Sequence, residues 1–137
     1  MAIRIKAKTY GPFTTAIGPG KVINVDTAPK QNVAITSPST EEAGTPVDFM
    51  ISALGACLAL SFHHAAQEMK IEVGTVSVEV SGKKAEDLPD RIGSYAATVS
   101  LDTMPDEAQC EELIKRAKAR CTVSNSLNGP VEMTMAG

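Results

Sequence analysis

Residues 45–64 read TPVDFMISALGACLALSFHH, and this stretch carries the strongest helix signal in the chain. Thr45 belongs to the residue types that cap helix N-termini, and Pro46 suits the first helical position. Asp48 then lies in the first turn, where the helix dipole favours a carboxylate. We predict one long central helix over residues 46–70.

The first two-thirds of this helix are apolar on nearly every side, because no charged residue occurs within residues 49–62. That run of 14 residues is shorter than the roughly 20 that a bilayer span requires. We therefore expect a buried core helix and no membrane segment. Gly55 costs about 1 kcal/mol relative to alanine inside a helix, so we expect another element to pack closely against it. A partner subunit is one way to surround such a helix in so short a chain, and we predict a homodimer.

Alternating strand patterns flank the helix on both sides. A strand meander is predicted over residues 1–45, and a strand, strand, helix and strand over residues 71–137. The fold class is therefore α+β with mostly antiparallel pairing, in a single domain over residues 1–137. The predicted strands are 3–8, 14–17, 21–25, 32–36, 75–80, 93–101 and 131–135. A loop is predicted over residues 83–90. The second helix is predicted over residues 105–120, with Pro105 in its first turn and an apolar side formed by Ala108, Leu113, Ile114 and Ala117.

Composition excludes several classes of partner. The formal charge of −3, with a pI near 5.4, disfavours nucleic acid and anionic membranes as partners. Aromatic residues make up only 4% of the chain, so base-stacking platforms are poorly supplied. The first ten residues alternate charged and apolar types, unlike a secretory signal. We expect a cytoplasmic protein that binds no nucleic acid and no membrane.

The three cysteines fit neither a disulfide framework nor a metal site. Structural disulfides are rare in the cytosol, and one cysteine is left over even if two pair. No CxxC or CxxH spacing occurs, and the adjacent His63 and His64 point to different sides of a helix. We predict no metal and no cofactor.

Cys57 lies in the middle of the apolar helix, where a cysteine is usually an inert packing residue. Ser61 follows one helical turn later, and His64 two turns later at roughly 10 Å, too far to act as a direct base. Asp48 precedes Cys57 by nine positions, which puts it on the opposite side of an unbroken helix.

Cys121 has a different environment, KARCTVSNSL, directly after a basic helix end. If residues 122–127 begin another helix, the thiol sits at its N-terminus, where backbone amides favour the thiolate and lower the pKa. The alternative is a buried residue at a helix junction. Cys110 has no basic neighbour nearby, and we treat it as incidental.

Two segments together resemble the OsmC/Ohr family, in a less characterised branch. Residues 44–50 (GTPVDFM) leading to residues 53–57 (ALGAC) resemble its first motif, and residues 120–127 (RCTVSNSL) resemble its second signature, C-P-V-S-N-x-L. The likeness extends over nearly the whole chain. It implies an intertwined α+β homodimer in which two sheets flank the paired central helices.

The resemblance also implies chemistry, since many members are thiol peroxidases that reduce organic hydroperoxides or hydrogen peroxide. Cys57 would be the peroxidatic thiolate, and Cys121 would form a disulfide with it that an external dithiol reduces. Asp48 would be the acid of the site, one position later than in the peroxidases, where Val47 stands here. A non-catalytic dimer that binds a small hydrophobic ligand and a purely structural dimer are the alternatives.

The family peroxidases carry an arginine in the N-terminal strands that reaches the reactive thiolate. This chain has no arginine between Arg4 and Arg91. Lys118, Arg120 or a lysine of a partner chain are the candidates to replace it.

Overall fold

The computed structural model describes residues 14–17, 23–27, 31–35, 44–87 and 90–136, and the chain divides into two compact units, Met1–Phe49 and Met50–Gly137. The first unit contains an antiparallel three-stranded sheet in the order β1-β2-β3. Its strands confirm three of the predicted ones to within two residues, while the predicted strand 3–8 lies outside the described residues. That the two units form a single domain stays a prediction. The strands are β1 (Thr14–Ile17), β2 (Ile23–Thr27) and β3 (Gln31–Ile35).

The long helix α1 (Pro46–Glu68) begins where the sequence predicts. The Thr45 N–H donates to Asp48 Oδ2 at 2.8 Å, and the Asp48 N–H donates to Thr45 Oγ1 at 3.2 Å. This reciprocal pair is a capping box, which satisfies two backbone donors at the helix start. At the other end, Lys70 has φ of 56°, and the Ile71 N–H donates to the Ala66 carbonyl at 3.0 Å. This is a Schellman-type end in which a lysine takes the left-handed position usually held by glycine.

The second unit contains a mixed sheet in the order β4-β5-β6, with β4 (Val76–Lys84), β5 (Ile92–Leu101) and β6 (Val131–Met135). β4 and β5 are antiparallel, whereas β5 and β6 are parallel. Three of the four strand pairings described are therefore antiparallel, which confirms the α+β class. The prediction of a loop over residues 83–90 is wrong at its start, because Lys83 and Lys84 continue β4 and pair with β5 across an irregularity.

Two helices connect β5 to β6: α2 (Glu107–Arg120) and α3 (Thr122–Ser126). The prediction that Pro105 lies in the first turn of α2 is wrong, because the N-cap is Asp106, which forms a capping box with Gln109. Leu113 and Ala117 are buried as predicted. Ala108 is exposed, because it lies in the first turn, outside the buried stripe of α2.

α1 packs against this sheet and helix pair through two groups of buried residues. A Cβ built on Gly55 would lie 2.9 Å from Val80 Cγ1, so the predicted close approach at Gly55 is confirmed. We name the group nearest this contact the Cys121 cluster. Its buried members are Leu54, Leu58, Tyr95, Ala97, Cys121 and Val131; the second group consists of Phe62, Ala65, Ala66, Val73, Val99, Leu113 and Ala117.

By length and composition alone, α1 is also able to cross a membrane. One helix of this kind is weak evidence, since the core helix of a water-soluble protein meets the same criteria.

Candidate functional site

Cys57 is carried by the middle of α1 and is half-buried. Its neighbours Leu54 and Leu58 are fully buried in the Cys121 cluster, and Cys57 packs against the same cluster. The thiol therefore lies at the edge of an apolar core, where part of the residue still reaches the surface.

Cys121 lies at the junction of α2 and α3 and is fully buried. Its N–H donates to the Ala117 carbonyl at 3.0 Å and so closes the last turn of α2. Its sulfur accepts a hydrogen bond from the Ser124 N–H at 3.4 Å and so caps α3. A helix does begin after Cys121, which meets the condition for a thiol at a helix N-terminus; the predicted order of elements over residues 71–137 lacked this helix.

The structure brings these two cysteines together, although they are 64 positions apart in the chain. Cys57 packs against the cluster that contains Cys121. Burial is the main reason why the pKa of Cys121 is raised above its ordinary value. The hydrogen bond and the charge of Cys57 raise it further, while hydrogen bonds from the Ser124 N–H and the Ser61 hydroxyl oppose the increase. Of the two alternatives for Cys121, the lowered pKa is wrong and the buried residue at a helix junction is confirmed, because loss of solvent outweighs the backbone amide. Burial therefore favours the protonated form of the Cys121 thiol.

Ser61 is a site residue for which the sequence suggested no role. It is buried, and its hydroxyl donates to the Cys57 carbonyl at 2.8 Å. The sequence feature that could have revealed Ser61 is its position four residues after Cys57, since residues four apart lie on the same helical face.

Asp48 lies at the start of α1, where its carboxylate accepts from the Thr45 N–H. This contact accounts for an acid at this position through helix capping. Its role in catalysis stays a prediction.

Two basic residues that precede Cys121, Arg116 and Arg120, are engaged in salt bridges elsewhere. Arg120 forms a salt bridge with Glu68, and Arg116 lies 3.6 Å from the same carboxylate and 2.9 Å from Glu112. Glu68 follows Cys57 by eleven positions, or about 16 Å along the helix axis. Arg120 is thus held at the far end of α1 and does not replace the family arginine.

The remaining candidates lie apart from the thiol pair. His63 and His64 are exposed, with their rings edge to face. The Cys110 thiol donates to the Met104 sulfur at 3.5 Å. Burial, followed by the charges of Asp106 and Glu107, raises the pKa of Cys110.

Within the described part of the chain, no group of three or more histidine, cysteine or acidic residues could hold a metal ion.

Comparison with known structures shows the same fold in several proteins. An OsmC-like protein from Mycoplasma pneumoniae superposes with a TM-score of 0.80 at 15% identity, covering 96% of this chain and 100% of that one. The organic hydroperoxide resistance protein OhrB of Bacillus subtilis gives a TM-score of 0.68 at 21% identity, with coverages of 91% and 96%.

A protein from Legionella pneumophila, described as an organic hydroperoxide resistance protein OsmC and predicted redox protein, also gives a TM-score of 0.68. Its identity is 20%, with coverages of 93% and 97%. The search of curated proteins gave no match. The family model described as OsmC-like protein matches residues 39–136, which include α1, Cys57, Cys121 and the β4-β5-β6 sheet. The chain therefore belongs to the OsmC-like protein family.

Proposed function

We propose that this protein is a thiol-dependent peroxidase that reduces organic hydroperoxides or hydrogen peroxide through Cys57 and Cys121. The observation that carries the proposal is that these two residues come from distant segments, and that Cys57 packs against the apolar cluster in which Cys121 is buried. The family and the similar structures named for hydroperoxide resistance support a role in redox stress.

The different environments of the two cysteines support different roles. Cys57 is half-buried and accessible to a peroxide, whereas Cys121 is fully buried. The raised pKa of Cys121 keeps it protonated at rest, which suits a thiol that reacts second. We therefore assign the peroxidatic role to Cys57 and the resolving role to Cys121.

In the proposed cycle, the Cys57 thiolate attacks the terminal oxygen of the hydroperoxide. The O–O bond breaks, Cys57 becomes a sulfenic acid, and the alkoxide leaves as an alcohol after taking up a proton. Cys121 then loses its proton and attacks the Cys57 sulfur, so that a disulfide forms and the sulfenic oxygen leaves as water. An external dithiol reduces the disulfide and is itself oxidised.

We also propose that the protein acts as a cytoplasmic homodimer joined through α1. Ala53, Ala56 and Leu60 are all exposed, and Leu60 retains 59% of its surface. Their spacing of three and four residues is that of a seam between two helices. A partner at this seam could also supply the lysine that would keep the Cys57 thiolate charged, since Arg120 is paired with Glu68.

The test is consumption of cumene hydroperoxide with dithiothreitol or a lipoyl dithiol as reductant. The wild type should turn over, Cys57→Ser should lose the activity, and Cys110→Ser should keep it. If Cys57→Ser retains the wild-type rate, the redox role is wrong.

The exposed apolar face of α1 favours one alternative, a non-catalytic dimer that binds a small hydrophobic ligand. That protein would lose no thiols on exposure to the peroxide. Organic extraction followed by mass spectrometry would then recover an apolar compound from the purified protein.

A further inference from the structure

Ser61 is a buried polar residue in the middle of α1, with 4% of its surface exposed. Its hydroxyl donates to the Cys57 carbonyl at 2.8 Å, one turn earlier in α1. That carbonyl also accepts from the Ser61 N–H in the regular helix pattern, so the hydroxyl bond is an additional one. A hydroxyl has one proton and two lone pairs, so it can donate to one group and accept from another, or exchange these roles by rotating.

The Cys121 thiol is the second group that Ser61 can reach, because Ser61 is hydrogen-bonded to Cys57 and Cys57 packs against the cluster that contains Cys121. A hydrogen bond from the Ser61 hydroxyl favours the Cys121 thiolate and lowers its pKa, opposing the effect of burial. The Ser124 N–H, 3.4 Å from the Cys121 sulfur, is the other donor. Among the described ionisable groups, Cys57 is the one whose charge acts on Cys121. Arg120, its neighbour in the chain, is paired with Glu68.

We propose that Ser61 is a positioning residue for the resolving step: its hydroxyl turns from the Cys57 carbonyl to donate to the Cys121 thiolate as that thiolate forms. This proposal rests on the two-cysteine cycle proposed above. It explains how a fully buried thiol in an apolar cluster can be deprotonated without a cation beside it.

The step conserves atoms and electrons. Cys121 releases its proton, and its sulfur attacks the sulfur of the Cys57 sulfenic acid. The new S–S bond forms as the S–O bond breaks, and the departing hydroxide combines with a proton to give water. The Ser61 hydroxyl stabilises the negative sulfur before the attack and is itself unchanged.

The first experiment titrates Cys121 directly and needs no peroxidase activity. In a Cys57→Ser, Cys110→Ser background, the thiolate absorbance of Cys121 is followed against pH with and without Ser61→Ala. We expect Ser61→Ala to move the titration to higher pH and Ser61→Thr, which keeps the hydroxyl, to return it. Ser126→Ala is the matched control, because Ser126 also donates to the carbonyl four residues earlier, at 2.8 Å, but is exposed.

The second experiment measures disulfide closure in a Cys110→Ser protein. An aryl disulfide converts Cys57 to a mixed disulfide, and attack by Cys121 then releases a coloured aryl thiolate. Closure at neutral pH should slow about ten- to a hundredfold in Ser61→Ala, because hydrogen bonds to charged groups are worth that factor. An unchanged titration and an unchanged closure rate in Ser61→Ala would overturn the proposal. A folded Ser61→Thr variant with the same titration and closure rate as Ser61→Ala would also overturn it. If the wild type closes in this assay but does not consume peroxide, the proposed peroxidase function fails while the role of Ser61 stands.

Discussion

Replacing Gly55 with alanine tests how α1 is held against the sheet beneath Cys57. The new Cβ would lie 2.9 Å from Val80 Cγ1, whereas carbon atoms pack best at about 3.5–4.0 Å. Either the helix or β4 must move by roughly 0.6–1.1 Å, because a valine side chain has little rotamer freedom with which to yield.

The expected magnitude is the difference between two effects. Overpacking a core site costs about 1–3 kcal/mol, and replacing glycine inside a helix returns about 1 kcal/mol. Gly55→Ala should therefore destabilise the protein by about 0–2 kcal/mol. In a Val80→Ala background the clashing Cγ1 is absent, and the next nearest atom, the Cβ of residue 80, lies at an ordinary 3.9 Å. There the same substitution should stabilise the protein by up to about 1 kcal/mol.

Urea unfolding of the wild type, both single variants and the double variant forms a double-mutant cycle. We predict that the effect of Gly55→Ala changes sign between the two backgrounds, with a coupling of about 1–3 kcal/mol. Effects that add to within about 0.5 kcal/mol would refute it, since residues that do not contact each other behave in this way. A shifted helix should also slow disulfide closure, because Cys57 lies only two positions after Gly55.

Three further predictions concern other parts of the second unit. Lys70→Gly should stabilise the protein by about 0.5–1 kcal/mol, because Lys70 has φ of 56° and glycine adopts this conformation without a steric penalty; an unchanged urea midpoint would contradict this. Asp106→Ala should cost about 1 kcal/mol of stability through loss of the α2 cap, which urea unfolding measures. It should also lower the pKa of Cys110 by removing a nearby negative charge, which the pH profile of Cys110 alkylation measures. Because the pKa of Cys121 is raised, the folded state holds the thiol proton more tightly than the unfolded chain does. This proton's contribution to stability is complete below the unfolded thiol pKa of about 8.5, and it is lost as pH rises through the folded pKa. In a Cys110→Ser background, the alkaline loss of stability should therefore shrink when Cys121→Ala is added, and an equal loss with and without Cys121 would contradict this assignment.

The local features of the fold were predictable where short-range chemistry decides them. The start of α1 follows from Thr45, Pro46 and Asp48, because capping depends on residues within one turn. The strand pairs follow from alternating side chains. The parallel placement of β6 beside β5 was not predictable, because the α2–α3 crossover that permits it carries no signal in the periodicity of β6.

The site was predictable in its members and less so in its electrostatics. The resemblance identified Cys57 and Cys121, and the structure places Cys57 against the cluster in which Cys121 is buried. The sequence left open whether Cys121 is activated by its basic neighbours and a helix start or is buried at a helix junction. Burial and the Arg120–Glu68 salt bridge depend on how distant elements pack, and no local pattern encodes either.

The most direct measurement is disulfide mapping by mass spectrometry after reduced protein is treated with one equivalent of cumene hydroperoxide. We expect two thiols to disappear per chain, a single Cys57–Cys121 bridge, and Cys110 still reduced. Three intact thiols, or a bridge that includes Cys110, would contradict the two-cysteine cycle.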